Sequence, residues 1–364
     1  MRQETSAINN TEAALLFKWD SGRISKFFNA IKARIEVTRH RAAVKYIDMH
    51  AMVVRIIVYD EALLSHLYKQ LTFSLKDHSN SYDTTIILWR TAKDDIDWTD
   101  DRRLIMQKNG DTSMPIAVVD GVEGRLSGYD ATTDTYFYGT SRTLSEDLVR
   151  EGHIFFKQFY HALLRKTESA FVHGACVGVN GKGALLCARG NRGKSTLAVL
   201  SLLEGFEYVS DDYLVIEKKN GGMTASPIYS IITLSPTMYD RMFDRLEGTR
   251  FVSNNWNKSK YIINISNLHD RFRAGYPVRV CLFPEIVDEP EPSVIRCDAM
   301  TKGKAITQMA HSTVSQMGDH TNRKNIVKMT GMLKDMDFYQ IRLCPDIYRN
   351  VECLRNFLNS LDRQ

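Results

Sequence analysis

One stretch constrains this chain more than any other, the run from Phe171 to Ile216: FVHGACVGVNGKGALLCARGNRGKSTLAVLSLLEGFEYVSDDYLVI. It reads as strand, turn, strand, glycine-bearing loop, helix, strand. GALLC is an apolar run opened by a glycine, and the loop Ala188-Arg189-Gly190-Asn191-Arg192-Gly193 follows it. Leu197, Leu200 and Leu203 then recur at helical spacing, the pattern breaks at Gly205, and YVSDDYLVI resumes a β-rich run.

A loop of this kind between a strand and a helix start suits an anion. The first turn of a helix leaves backbone N–H groups unpaired, and the helix dipole adds partial positive charge there. Gly190 and Gly193 allow the loop to curl so that successive amides converge on one phosphate. Lys194 then reaches the β- and γ-phosphates, and Ser195 offers its hydroxyl to Mg²⁺. The spacing is that of a Walker A P-loop, GxxxxGK[ST], with one departure: Ala188 stands at the first glycine. Alanine costs little there if φ is negative and much if φ is positive, and a negative φ is expected.

Asp211 and Asp212 close the next apolar strand, where the acid of a Walker B strand sits. Two adjacent acids suggest a division of labour, one toward a metal and one toward an attacking hydroxyl. An ordinary acidic turn is the plain alternative, and the loop upstream weighs against it. A histidine on an apolar strand is commonly a satisfied core residue. His173, however, flanks the loop strand on one side as the Asp pair does on the other, so the three are expected to meet at its loop end.

These residues resemble a known family. VHGACV, ARGNRGKST and GFEYVSDDYLVI follow, in order, the pattern of HPr kinase/phosphorylase-related proteins with a PEP-carboxykinase-like core, a group that includes kinases tailoring lasso peptides. The likeness is dense over 171–216 and thinner, but collinear, over much of 50–360. It implies an α/β fold with a P-loop core and an N-terminal α+β domain. It implies a nucleotide-binding set of Gly190, Asn191, Arg192, Gly193, Lys194, Ser195 and Thr196, with ATP and Mg²⁺ as cofactors. Ser195 and Asp211 are the implied metal residues, and Asp212, His173 and Asp211 the implied catalytic ones, the histidine assisting the acid. Which of Asp211 and Asp212 is the base is left open. The glycine-rich signature by which true HPr kinases engage their protein partner is absent after the Asp pair, which argues against HPr as the acceptor. True HPr kinases assemble as hexamers, so a homo-oligomer is implied.

Composition is that of a globular protein: 364 residues, 43% hydrophobic and 25% charged, with a net charge of +5. That charge is too mild to argue for nucleic acid. The six cysteines show no CxxC pair and no metal spacing, and several lie in apolar runs as buried free thiols do, so a cytoplasmic location is expected. No stretch has the apolar length of a membrane-spanning helix, and the polar N-terminus does not read as a signal peptide. Three regions are expected: a polar N-terminus and basic amphipathic helix over 1–50, an α+β domain over 51–143, and the kinase-like domain over 144–364. The helix is read from Arg23 through Ile47, with Ile24, Phe27, Phe28, Ile31 and Ile35 on one side. Docking of an acidic partner or a membrane surface competes there with plain packing. Strands are expected near 52–58, 84–89, 116–119, 124–127, 135–138, 226–234, 261–265, 278–283 and 339–344. Helices are expected over 144–168, 302–316, 322–335 and 349–361. RLEGTRFVSNNWNKSK reads as a polar surface loop, with Arg241, Lys258, Lys260 and Arg273 as candidate phosphate clamps.

The expected activity is transfer of the γ-phosphoryl group of ATP to a hydroxyl, on a Ser or Thr of a peptide or protein or on a small-molecule alcohol, as in peptide or natural-product tailoring. A nucleotide-binding regulatory or scaffold protein is the alternative, favoured by Ala188 and opposed by intact Lys194, Ser195, Asp211 and Asp212. A carboxylate-directed enzyme of the PEP-carboxykinase type would need a further metal-binding His/Lys set, and none is evident.

Overall fold

The computed structural model describes residues 15–37, 42–48, 52–71, 75–90, 103–108, 117–120, 124–141, 163–164, 166–242, 245–246, 250–255, 258–264, 270–315 and 323–361. The fold is mixed α/β. The chain divides into two compact units. One comprises Met1–Lys45, Arg55–Leu64 and Asp83–Leu144, and the other Tyr46–Val54, Ser65–Tyr82 and Ser145–Gln364.

The first elements are β1 (Leu15–Trp19), α1 (Ser21–Val37), β2 (Ala43–Asp48), β3 (Val53–Val58), α2 (Glu61–Leu71), β4 (Leu75–Lys76) and β5 (Thr84–Arg90). They are followed by β6 (Arg103–Lys108), β7 (Ala117–Asp120), β8 (Arg125–Asp130) and β9 (Thr135–Thr140). Strands β6 to β9 form an antiparallel meander, closed by parallel pairs β1–β6 and β5–β9 at either end. Helix α1 buries Phe28, Ile31 and Ile35 in one cluster with Trp89, Val119, Leu126 and Phe137. Its Lys32 ammonium lies 2.7 Å from Asp130. Burial raises the Asp130 carboxyl, but hydrogen bonds from Lys32, the Thr132 N–H and Thr133 outweigh it and hold the group below its usual range.

The basic helix is shorter than its sequence suggests. It ends at Val37, and Ala43–Asp48 is a strand, paired at Tyr46 and Ile47 with Lys76 and Leu75. Val44, Tyr46 and Ile47 are strand formers, so the apolar positions after residue 42 serve a period of two rather than 3.6. The helix expected over 144–168 lies outside the described residues except at 163–164 and 166–168.

The second unit holds β10 (Ala170–His173), β11 (Ala175–Val179), β12 (Lys182–Leu186), α3 (Lys194–Leu203), β13 (Glu207–Ser210), β14 (Tyr213–Lys219) and β15 (Gly222–Pro227). Then come β16 (Ile231–Leu234), α4 (Pro236–Met242), β17 (Arg250–Asn255), β18 (Lys258–Asn264), β19 (Tyr276–Ile286) and β20 (Ser293–Arg296). Helices α5 (Ala299–Ser315) and α6 (Arg323–Leu333), strand β21 (Asp337–Leu343) and helix α7 (Ile347–Ser360) complete it. The main sheet runs β10-β14-β15-β19-β12-β11-β13, with β21 beside β19. Within it β12, β19 and β21 are parallel.

Both faces of this sheet are covered, and the residue alternation shows it. Ala184 and Leu186 of β12 enter one core with Leu197 and Leu200 of α3 and Leu354 of α7. Leu185 and Cys187 enter the other core with Met309 of α5 and Met329 of α6. A strand buried on both sides needs an apolar residue at every position, which is why GALLC is a continuous run. All six cysteines are free, and Cys176, Cys187, Cys281 and Cys344 are buried.

Two sequence expectations are corrected here. The strand expected over 226–234 is two strands in different sheets, β15 and β16. The expected surface loop over 245–260 contains β17 and the start of β18, which pair antiparallel in a three-stranded sheet with β16. Phe251 and Val252 stand opposite Ile262 and Tyr261. Backbone pairing needs few apolar side chains, so a polar composition concealed the hairpin.

Candidate functional site

The site lies where two continuous chains kink together. β10 runs through Gly174 into β11, and β13 runs through Asp211 and Asp212 into β14. β10 pairs antiparallel with β14 and β11 with β13. At the kink the Gly174 N–H donates to the Asp212 carbonyl over 3.1 Å. Asp212 has φ 78°, in the left-handed region that aspartate tolerates better than most residues. A bulge next to Cys176 marks the same spot.

The neighbouring β11–β12 hairpin brings the loop to this kink. Its turn residues Asn180 and Gly181 both have positive φ (53° and 75°), the requirement of a type I′ turn. Ala175 stands opposite Leu186, so the C-terminal end of β12 lies next to Gly174. The Cys187 N–H donates to the Leu282 carbonyl (2.9 Å) and extends the parallel ladder before the loop begins. Ala188 is buried and is not among the described residues with positive φ, so alanine is accommodated there as expected. Arg189, Gly190, Asn191 and Arg192 are exposed, and Asn191 has φ 63°. Gly193 caps α3 at φ 84°. The positive φ favours glycine there, and a Cβ would also stand 2.6 Å from the tip of the Leu343 side chain, which would have to shift.

Lys194 opens α3 and is 5% exposed, its ammonium turned into the kink. Its Nζ lies 3.6 Å from Asp212 Oδ1 and 3.5 Å from His173 Nε2. His173 Nε2 is itself 3.6 Å from the same Asp212 oxygen. Thr233 donates to the other oxygen, Oδ2, over 2.6 Å. Helix α5 supports the histidine: Ser312 Oγ is 2.5 Å from Nδ1, and Thr313 Oγ1 accepts from the His173 N–H at 3.1 Å. An ammonium only donates, so in the neutral ring Nε2 faces Lys194 as acceptor and Nδ1 carries the proton toward Ser312. The Tyr213 ring stacks on the imidazole with centroids 5.3 Å apart.

Asp211 is buried, at 5% exposure. The Tyr208 hydroxyl is fully buried, without a hydrogen-bond partner among the described residues. Burial pushes its ionisation well above the ordinary value, and Asp211 and Asp212 push it further. Tyr213 is raised in the same direction, by burial first and then by Asp212.

The structure thus brings His173, Lys194 and Asp212 together, with Ser195 and Thr196 half-buried on the adjoining first turn. Of the four candidate clamps, Arg273 is engaged by Glu207 at 3.0 Å and by the Asp270 carbonyl, and Arg241 is exposed on α4. The side chains of Lys258 and Lys260 lie outside the described residues. Sequence reasoning missed Ser312, Thr313 and Thr233. Nothing in an amphipathic helix or a short strand marks a hydroxyl that will face a distant histidine or carboxylate.

The donor set here is hydroxyl and carboxylate oxygen, the chemistry of Mg²⁺ rather than of zinc. No group of three or more His, Cys, Asp or Glu suited to a metal occurs among the described residues. Magnesium commonly uses one or two carboxylates with substrate phosphates, so the pair Ser195 and Asp211 fits that ion. No helix of the described residues is long and apolar enough to cross a membrane.

No family model matches the chain, and no curated protein matches it. Among solved structures it is similar to the Hpr(Ser) kinase/phosphatase from Coxiella burnetii, with 13% identity over 53% of this chain and 93% of that one, at a TM-score of 0.32. A likeness that distant carries no argument about the site.

Proposed function

We propose that the chain is a kinase that transfers the γ-phosphoryl group of ATP to a hydroxyl. One observation carries the reading: a single carboxylate, Asp212, faces Lys194, His173 and Thr233 beside the glycine-bearing loop. In this reading the loop amides and the first turn of α3, from Gly190 to Thr196, hold the triphosphate, where helix-terminal N–H groups favour anions. Without nucleotide, Lys194 neutralises Asp212. Phosphate oxygens draw that ammonium to themselves and leave Asp212 to accept the proton of the incoming hydroxyl. His173, braced by Ser312 and Thr313, orients the carboxylate. Ser195 and Asp211 would hold Mg²⁺, which would supply charge neutralisation for the phosphates.

The acceptor class we propose is a Ser or Thr of a peptide or protein, or a small-molecule alcohol, in a peptide or natural-product tailoring role. Residues 144–364 are the proposed kinase domain, with 51–143 and 1–50 as additions, in a cytoplasmic homo-oligomer. The scaffold reading drew on Ala188, and a residue outside the left-handed region is no obstacle to a working loop.

Phosphate release from Mg-ATP, with water as the surrogate acceptor, tests the reading. Asp212→Asn keeps the shape of the side chain but cannot take a proton. It is expected to lower turnover by roughly 10²–10⁴-fold and to leave Mg-ATP affinity within a few-fold. Asp211→Asn is expected to raise the Mg²⁺ concentration needed for half-maximal turnover. Equal turnover in wild type and Asp212→Asn would overturn the base assignment. Tight binding with no turnover at all would favour the scaffold.

A further inference from the structure

A cavity of about 180 Å³ lies beside the loop, on the face of α3 that carries Thr196, Leu197 and Leu200. We infer that it seats the nucleoside base, and that it holds the base by apolar contact alone, so that adenine and guanine nucleotides bind nearly alike. The inference rests on the nucleotide reading of the loop.

Position is the first argument. Gly193, Ile286 and Leu343 line the cavity and stand at or beyond the C-terminal ends of β12, β19 and β21, the three parallel strands. Open α/β sheets take their ligands at that edge. Gly193 belongs to both the loop and the cavity, so a ligand with its phosphates on the loop has the cavity as its next neighbour.

Size and lining are the second. The volume exceeds the roughly 150 Å³ of a cavity that takes benzene. Ile286, Leu343, Pro345 and Ile347 offer apolar contact, and Ile286 is 56% exposed among the described residues.

The third argument is how the polar groups of the lining are used. A site discriminates bases strongly when unpaired donors and acceptors await the ring edge. Among the described residues, several of those groups are engaged. Asn350 donates to the Cys344 carbonyl and accepts from the Cys344 N–H, both at 2.9 Å. The Leu343 carbonyl accepts from Val287, and the Gly193 carbonyl from Leu197. Cys344 Sγ donates to the Asp346 carbonyl, and Pro345 has no N–H. Thr196 adds a hydroxyl to the lining.

Calorimetry with Mg-ATP, Mg-GTP and Mg-tripolyphosphate, together with methyl NMR using adenosine alone, tests this. Wild-type affinities for ATP and GTP are expected within tenfold. Ile286→Asn, a neutral change at an exposed position, is expected to weaken both nucleotides about tenfold and to leave tripolyphosphate unchanged. Lys194→Ala is expected to weaken all three. A preference for ATP over GTP beyond a hundredfold would overturn apolar reading of the base. Unchanged ATP affinity in Ile286→Asn would overturn the pocket, and would suit an apolar group of the acceptor there instead. If tripolyphosphate and ATP fail to bind but adenosine shifts the Ile286 and Leu343 methyls, the loop reading falls and the pocket stands. If adenosine shifts neither methyl, the pocket falls.

Discussion

At the scale of single residues, two glycines in one loop make unequal demands. Gly193 holds φ 84° with Leu343 against it, whereas Gly190 is exposed, lacks positive φ, and has nothing within 4 Å of an added Cβ. Gly193→Ala is expected to destabilise by roughly 1–3 kcal/mol from backbone strain, with the contact adding to it. Gly190→Ala is expected to stay within about 0.5 kcal/mol. Urea unfolding of the pair checks this, and equal midpoints would refute the asymmetry. The sequence motif marks both positions alike. The left-handed backbone at Gly193 and the packing of Leu343, 150 residues downstream in β21, separate them.

At the scale of elements, α1 decides between a docking surface and a packing helix. Phe28 is 1% exposed and stacks on Phe137 at 5.4 Å, while Ile31 and Ile35 complete the same buried stripe. The helix therefore spends its apolar face within its own unit; Arg23 and Lys26 are exposed, and Lys32 pairs with Asp130. Phe28→Ala is expected to cost about 3–5 kcal/mol in chemical unfolding followed by circular dichroism. A loss below 1 kcal/mol would mean that the stripe is not a core. The amphipathic pattern was legible in the sequence as far as Val37. Its end was not, because residues beyond 42 keep apolar side chains while changing period, and pairing with β4 selects the strand.

At the scale of the molecule, burial of acidic protons sets the alkaline limit. Burial pushes the ionisation of Tyr208, Tyr213, Cys176 and Cys281 well above ordinary values of 10.0 for tyrosine and 9.0 for cysteine. Below those values both folded and unfolded chains hold the protons. Above them the unfolded chain releases protons that the folded one keeps, so stability falls as pH rises. The slope is about 1.4 kcal/mol per pH unit for each group so held. Unfolding midpoints are expected to be level from pH 7 to 8 and to drop steeply between pH 9 and 11. A flat profile across that range would show that these groups ionise freely in the folded state.

The sequence by itself determined the local chemistry. It set the continuous apolar run of a doubly covered strand, the glycine-bearing loop ahead of a helix, the acid pair closing the next strand, and a histidine before a glycine. Each is a short-range pattern, written in neighbouring residues and in the periods of helix and strand. Tertiary structure decided what those patterns face. Pairing of β10 with β14 and of β11 with β13 sets His173 and Asp212 on one kink, 39 positions apart in the chain. Helix α5 delivers Ser312 and Thr313 to the histidine, and β16 delivers Thr233 to the carboxylate. Strands β19 and β21 bring Ile286 and Leu343 to Gly193. The local pattern foretold that His173 and the acid pair meet. None encodes the meetings with Ser312, Thr313, Thr233, Ile286 and Leu343, because a hydroxyl on a helix or a leucine at a strand end is chemically the same whether it meets solvent or a site. The register of the sheet makes the difference, and register is a property of the packed whole.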